Sequence, residues 1–219
     1  YQPVILGEIQ NKGLGMNVDV FNEKGESLKN KKGELVCKNP FPSMPLKFWN
    51  DKNDIKFKKA YFNNFLNRWY HGDYAEIKKG GGFIIHGRSD TTLNPGGVRL
   101  GTAEIYSEVE KFVEIKESIV VGQAWDNDVR IILFIVLNPK QVLNENLLKK
   151  IRTQIRKNAS PRHVPSKIIV VDDIPRTKNG KIVELAVKNT IEGIEIKNKE
   201  ALANPRVLDE YRNLKELNY

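Results

Sequence analysis

Residues 86–106, HGRSDTTLNPGGVRLGTAEIY, constrain the fold more than any other stretch of the chain. Apolar content falls here, and Asn94, Pro95, Gly96 and Gly97 interrupt both the alternation of a strand and the period of a helix. The hydrophobic texture differs on the two sides of this break. A single continuous core is therefore not expected, and the boundary between two folding units is placed inside the segment.

Before the break the sequence is β-rich. Residues 17–21 alternate and meet the turn NEKGE, and GELVC follows as a second strand. WYHGDYAEI and FIIHGR, separated by the glycine-rich KKGGG, form a hairpin by their spacing. Residues 38–59, with Pro40, Pro42 and Pro45 and no helical period, are expected to form a long loop of the kind that often carries function.

After the break helices and strands mix. Thr102 is placed as the cap of a helix with Ile105, Val109, Phe112 and Val113 on its apolar stripe. Residues 118–121 and 129–137 read as strands, the second carrying the buried run IILFIVL. Asn144 caps a helix that buries Leu147, Leu148, Ile151 and Ile155 and turns Lys149, Arg152, Arg156 and Lys157 outward. A strand over residues 167–171 and a helix with Val183, Val187 and Ile191 inward complete a small α+β domain, a central sheet flanked by helices. The expected organisation is a β-rich segment 1–88, an α+β domain 89–190, and a polar tail 191–219 with one short helix over 205–217.

Composition narrows the function classes. With 219 residues, 40% hydrophobic and 29% charged, the chain has the make-up of a globular protein, and no apolar run approaches a membrane-spanning length. Cys37 is the only cysteine, which excludes an internal disulfide and suits a reducing, cytoplasmic setting; a small buried core residue is its expected role. No signal or transit peptide is legible, and the chain starts at Tyr1 rather than at a methionine. A net charge of +9 favours anionic partners such as nucleotides, phosphorylated coenzymes or nucleic acid. His71, His86 and His163 lack zinc-ligand spacing, so no metal site is assigned and each is read as structural or exposed.

One heptapeptide asks for more than solvation. PRTKNGK carries Arg176, Lys178 and Lys181 on a stretch with no apolar side chain, bracketed by Pro175 and Gly180. It is either a basic surface turn or a turn that holds a cation out toward an anion.

The motifs, taken in order, resemble the acyl-adenylate-forming superfamily: GELV, then HGDY, then GRSD, then PRTKNGK. Within it, RSDTTLNPGGVR, SPRHVPS, NGKIVELAVK and NPRVLDEYRNL are most similar to the acetoacetyl-CoA synthetases. The resemblance extends over essentially all of the chain. It implies that residues 1–88 end a large nucleotide- and acid-binding domain and that residues 89–190 are its mobile C-terminal partner. It also implies that the phosphate loop and the acid pocket precede Tyr1, so this piece alone is expected to be incomplete and inactive.

The implied reaction is a ligation. A carboxylic acid, here acetoacetate, attacks the α-phosphate of ATP, and coenzyme A then displaces AMP. Acetate, propionate or another short acid is the alternative substrate, and a non-catalytic basic module for nucleic acid or a phosphorylated partner is a second alternative. On the ligase reading the partners are small molecules, with neither nucleic acid nor membrane among them, and Mg2+ accompanies ATP without an identifiable ligand motif here.

The resemblance implies these roles: Lys181 is catalytic in adenylation; Asp73 binds the ribose hydroxyls; Arg88 and Arg99 contact ATP or AMP. Gly96 and Gly97 form part of the pantetheine tunnel wall, Arg156 meets a coenzyme A phosphate, and Asp90 is the hinge. Each residue type suits its task, a carboxylate for vicinal hydroxyls, guanidinium for phosphate, a flexible ammonium for a developing anion. Acetylation of Lys181 would cancel the charge the reaction needs.

Overall fold

The first strands form because short β-branched and aromatic runs are punctuated by turn residues. In the computed structural model, which describes residues 3–196 and 199–219, β1 (Val18–Phe21), β2 (Lys32–Cys37), β3 (Trp69–Ile77) and β4 (Phe83–Arg88) make an antiparallel sheet in sequential order. Val20, Val36 and Cys37 are buried in it. Phe65 packs edge-on to Phe21 at 5.6 Å between ring centroids.

The connection expected to be irregular holds a helix, α1 (Ile55–Tyr61). Three nearby prolines and a run of lysines hide it in the sequence. It exists because Phe57 and Tyr61, one turn apart, both pack on Trp69, Tyr61 stacking at 3.7 Å. The Asp51 carboxylate accepts from the N–H groups of Lys56 and Phe57 and so closes the helix start.

The chain divides at Asp90/Thr91 into two units, Tyr1–Asp90 and Thr91–Tyr219. The second unit contains α2 (Ala103–Val109), β5 (Ile115–Trp125), β6 (Asp128–Leu137), α3 (Glu145–Asn158), β7 (Lys167–Val170) and α4 (Glu184–Ile191). β5 and β6 are a hairpin, and β7 joins β6 in parallel, giving the order β5-β6-β7.

Both faces of this sheet are covered, which is why IILFIVL does not alternate. Val120, Leu133 and Ile135 meet Ile105 and Val109 of α2 and Ile151 and Ile155 of α3. Ile119, Ile132 and Phe134 meet Val187 of α4, and with it Tyr211 and Leu217. Asn144 accepts from the N–H of Leu147 at 2.9 Å, the expected cap of α3.

Two local expectations need correction. α2 ends at Val109; Phe112 packs on the core from a turn and Val113 is exposed. Thr102 is buried and makes no capping bond with its side chain.

The C-terminal residues are no polar appendage, and they form short 3-10 turns instead of the expected α-helix. Leu208, Tyr211 and Leu217 are buried, each worth about 1.5–3 kcal/mol in transfer terms. The Tyr211 ring lies edge-on to Phe134 at 4.8 Å, and its hydroxyl donates to the Asp173 carbonyl at 2.9 Å. Burial pushes its phenol well up, so it stays neutral. Arg130 donates to the carbonyls of Leu217 and Tyr219, tying down the end of the chain. Leu202, Leu208, Tyr211 and Leu217 are scattered through a stretch rich in charged residues, so the sequence conceals their burial.

Candidate functional site: a paired carboxylate and a presented lysine

The hairpin β3–β4 positions the first group of candidate residues. Its register sets Asp73 directly opposite Arg88, just beyond an irregularity between Tyr74 and Ala75. Arg88 Nη1 lies 3.4 Å from Asp73 Oδ1, and Arg88 Nε lies 3.4 Å from Asp90 Oδ1. On the same strand face, two residues before Asp73, His71 places Nδ1 2.6 Å from Asp73 Oδ2.

Gly72 is required between them. Its φ is +84°, and a Cβ there would stand 2.9 Å from an Arg88 guanidinium nitrogen. Burial opposes the Asp73 charge, but the His71 hydrogen bond and the His71 and Arg88 charges outweigh it and hold the carboxyl below its ordinary value. Burial likewise works against the Arg88 cation, and Asp90 and then Asp73 more than restore it. Asp73 is thus an ionised, four-fifths-buried acceptor whose present partners sit at the protein surface.

The segment that follows is pinned on each side of the boundary. Ser89 donates to the buried Glu34 carboxylate, so the residue before Asp90 is anchored to β2. Beyond it, Leu93 and Leu100 pair as an antiparallel bridge, both buried. The half-buried Arg99 donates through Nε to Thr92 Oγ1 at 3.0 Å across this bridge.

Pro95, Gly96 and Gly97 form the tip of that bridged loop. Gly96 and Gly97 have φ of +59° and +71°. A Cβ on Gly97 would meet nothing within 4 Å, and one on Gly96 only an Arg162 nitrogen at 3.8 Å. Within this chain the backbone conformation, not crowding, calls for glycine. The Gly96 N–H points between both carboxylate oxygens of Asp128, 2.9 Å from each. Asp128 lies at the start of β6, so the sheet's own hairpin holds the loop.

PRTKNGK is a tight, braced turn. Thr177 N–H donates to the Lys181 carbonyl and Gly180 N–H to the Thr177 carbonyl, each at 2.8 Å. Gly180 sits at φ +78°, and Thr177 Oγ1 accepts from the Lys181 N–H at 3.1 Å. Arg176 donates to the Gly180 carbonyl at 3.1 Å and pairs with Glu117 of β5 at 2.7 Å. Lys178 is exposed. Lys181 is exposed as well, and its ammonium has no partner among the described residues. Arg156 lies on the outward face of α3, lining a shallow groove with Lys149, Arg152 and Thr153.

Residues 104–181, from the first turn of α2 to the presented lysine, match the family described as AMP-binding enzyme C-terminal domain. Over 216 residues, 99% of this chain, the sequence is 56% identical to the acetoacetyl-coenzyme A synthetase of Rhizobium meliloti (strain 1021). Residues 104–181 thus resemble an AMP-binding enzyme C-terminal domain, and the chain as a whole is similar to acetoacetyl-CoA synthetases. The Xenopus tropicalis acetoacetyl-CoA synthetase is 50% identical over 217 residues, 98% of the chain. The solved acetoacetyl-CoA synthetase from Streptomyces lividans superposes with a TM-score of 0.91 at 40% identity, covering 99% of this chain and 33% of that one. The chain spans about a third of the length of the curated relatives it matches: 33% of the Rhizobium protein and 32% of the Xenopus one. These matches bear out the resemblance read from the four ordered motifs.

The matched stretch, residues 104–181, ends on the lysine turn, and its own residues supply two of the braces, Glu117 and Arg176. The structure gathers Asp73, Arg88 and Asp90 into one ion-pair cluster. Within the second unit it sets Arg99 beside Thr92, Gly96 on Asp128, Lys181 on its turn and Arg156 on α3. His71, Asp128 and Glu117 were not singled out from the sequence as site partners. His71 carried a signal, the i,i+2 spacing to Asp73 within a strand. Asp128 and Glu117 carried none, because only the folded sheet brings them to their loops.

Proposed function

We propose that this chain is the C-terminal part of an ATP-dependent acid:CoA ligase that activates acetoacetate as an acyl-adenylate and passes it to coenzyme A. One observation carries the reading: an exposed lysine, without a partner among the described residues, on a braced turn in which Arg176 is tied down and Lys178 is the only other exposed cation. A solvated turn has no need of such bracing, whereas an electrophilic cation gains from a fixed position. The printed names of the homologous synthetases favour acetoacetate over other short acids.

In this reading the Lys181 ammonium neutralises charge between the acid carboxylate and the α-phosphate during adenylation. Asp73 takes the ribose hydroxyls and Arg88 an adjacent nucleotide oxygen, their mutual ion pair loosening as ligand arrives. Arg99 adds a second cation near the phosphates. Rotation at Asp90 then withdraws the Lys181 turn and brings the Pro95–Gly96–Gly97 loop to the thioester site, with Arg156 available to a coenzyme A phosphate. Magnesium would enter with ATP; among the described residues no group of three or more His, Cys, Asp or Glu side chains could hold it, and none is assigned to it. No helix among the described residues is long and apolar enough to cross a membrane. Acetylation of Lys181 would switch adenylation off, a point that fails if a fully acetylated protein keeps its activity.

The test is acid-dependent ATP–pyrophosphate exchange by the full-length protein with acetoacetate, acetate and butyrate. Strong exchange with acetoacetate that disappears in Lys181→Ala supports the whole reading. Exchange with a different acid keeps the mechanism and changes the substrate. No exchange with any acid from a folded protein overturns it.

A further inference from the structure

Residues 201–204 lie alongside the Lys181 turn and pair with it residue by residue. Thr177 and Leu202 form an antiparallel bridge. Lys178 N–H donates to the Ala201 carbonyl at 3.1 Å, and Ala203 N–H donates to the Arg176 carbonyl at 2.8 Å. On its other side Arg176 bridges Ile182 within the turn itself. The strip 176–178 is therefore the middle of a three-part β arrangement whose outer member comes from the C-terminal tail.

Asn204 closes this arrangement. Its Oδ1 accepts from the Arg176 N–H at 2.8 Å. Its Nδ2 donates to Asp173 Oδ2 at 2.7 Å and to the Ile174 carbonyl at 2.9 Å. One side chain thus fixes the backbone on both sides of Pro175, at the entry to the turn. The tail is held in turn by Leu202 and Leu208 against Ala186 of α4, the helix that leaves the turn. A flexible lysine reaches a defined point only if its backbone does not move, so the site needs what this strip supplies.

We propose that residues 201–204 are an edge strand that positions the Lys181 turn, with Asn204 as the positioning residue for the adenylation step. This rests on the ligase reading given above. The tail would serve the first half-reaction and not the second, because only the first uses Lys181.

The experiment uses the full-length protein with two variants. Asn204→Ala removes the side-chain clasp. Ala203→Pro removes a single N–H of the edge strand at an exposed position. Leu217→Ala is the control, because it weakens the same tail through the core, away from the turn. Both test variants are expected to lower acid-dependent ATP–pyrophosphate exchange about 10- to 100-fold. Coenzyme A-dependent release of AMP from preformed acyl-adenylate should change less than about 2-fold. Hydrogen exchange at the amides of Arg176, Thr177 and Lys178 should quicken in both variants, a readout that requires no activity.

A parallel fall of both half-reactions, matching Leu217→Ala at equal loss of thermal stability, would overturn the proposal. So would unchanged exchange kinetics, or amides of the turn as protected as in the parent. If the parent shows no exchange with any acid, the ligase reading fails. The amide protection then decides by itself whether the edge strand holds the turn.

Discussion

Asp73 on the β3–β4 hairpin and Lys181 on its turn are the two charges the proposed reaction relies on most, but their surroundings are opposite. Asp73 has its oxygens engaged by His71 and Arg88, and Arg88 reaches Asp90 as well. Around Lys181 it is the neighbours that are engaged, while its own ammonium has no partner among the described residues. The carboxylate is partly buried and needs cations to stay ionised there; the exposed ammonium keeps its charge in water at little cost. The first arrangement is a site in which ligand must replace existing partners. In the second, ligand has nothing to displace, and precision comes from the backbone.

The largest effect should fall on the unpartnered group. Lys181→Ala is expected to lower acid-dependent pyrophosphate exchange about 10²–10³-fold, the scale of removing one preorganised transition-state contact. Thermal unfolding of that variant should match the parent, because the side chain is exposed and its ammonium has no partner among the described residues; a large loss of stability would break the comparison. Gly72→Ala comes next. A methyl group at a positive φ and 2.9 Å from the Arg88 guanidinium must displace the paired cluster. The KM for ATP should rise about 10-fold, measured by exchange at saturating acid. An unchanged KM would show that the Asp73–Arg88 geometry is irrelevant to nucleotide.

A smaller effect is expected at the loop held by Asp128. Asp128→Ala leaves the Gly96 N–H without its acceptor, at an exposed place where water replaces it. Coenzyme A-dependent thioester formation should slow about 3- to 10-fold with adenylation little changed. The reverse pattern would assign the loop to the wrong half-reaction.

The smallest effect is a pH dependence. The Asp73 carboxyl is held below its usual 3.8 in the folded chain, so its pairing contributes stability above that pH. That contribution is lost as pH falls through the lowered value. Asp73→Asn should therefore be less stable than the parent near pH 6, and the two urea midpoints should converge as the pH falls below 3.8.

Much of this site was legible one residue at a time. The hairpin carrying Asp73 and Arg88, the Asn144 cap and the Gly180 turn follow from local rules of strand alternation, capping and positive φ. What escaped reading shares one cause. α1 is held by Trp69, which lies beyond the helix in sequence and on a strand. The tail is buried by Leu202, Leu208, Tyr211 and Leu217, apolar residues scattered among charged ones. The Arg176–Glu117 pair is illegible because Glu117 sits far away in sequence on β5.

By itself the sequence determined the two textures on either side of residues 86–106, the β3–β4 hairpin, the helices with caps or stripes, and the motif order that marks the chemistry. These depend on interactions within a few residues, where composition and spacing are sufficient. Only the tertiary structure decided which groups brace which: Asp128 under Gly96, Glu117 on Arg176, Asn204 across Pro175. Such contacts join residues far apart in the chain, and each forms only after the sheet and its two covered faces have brought the partners within hydrogen-bond distance.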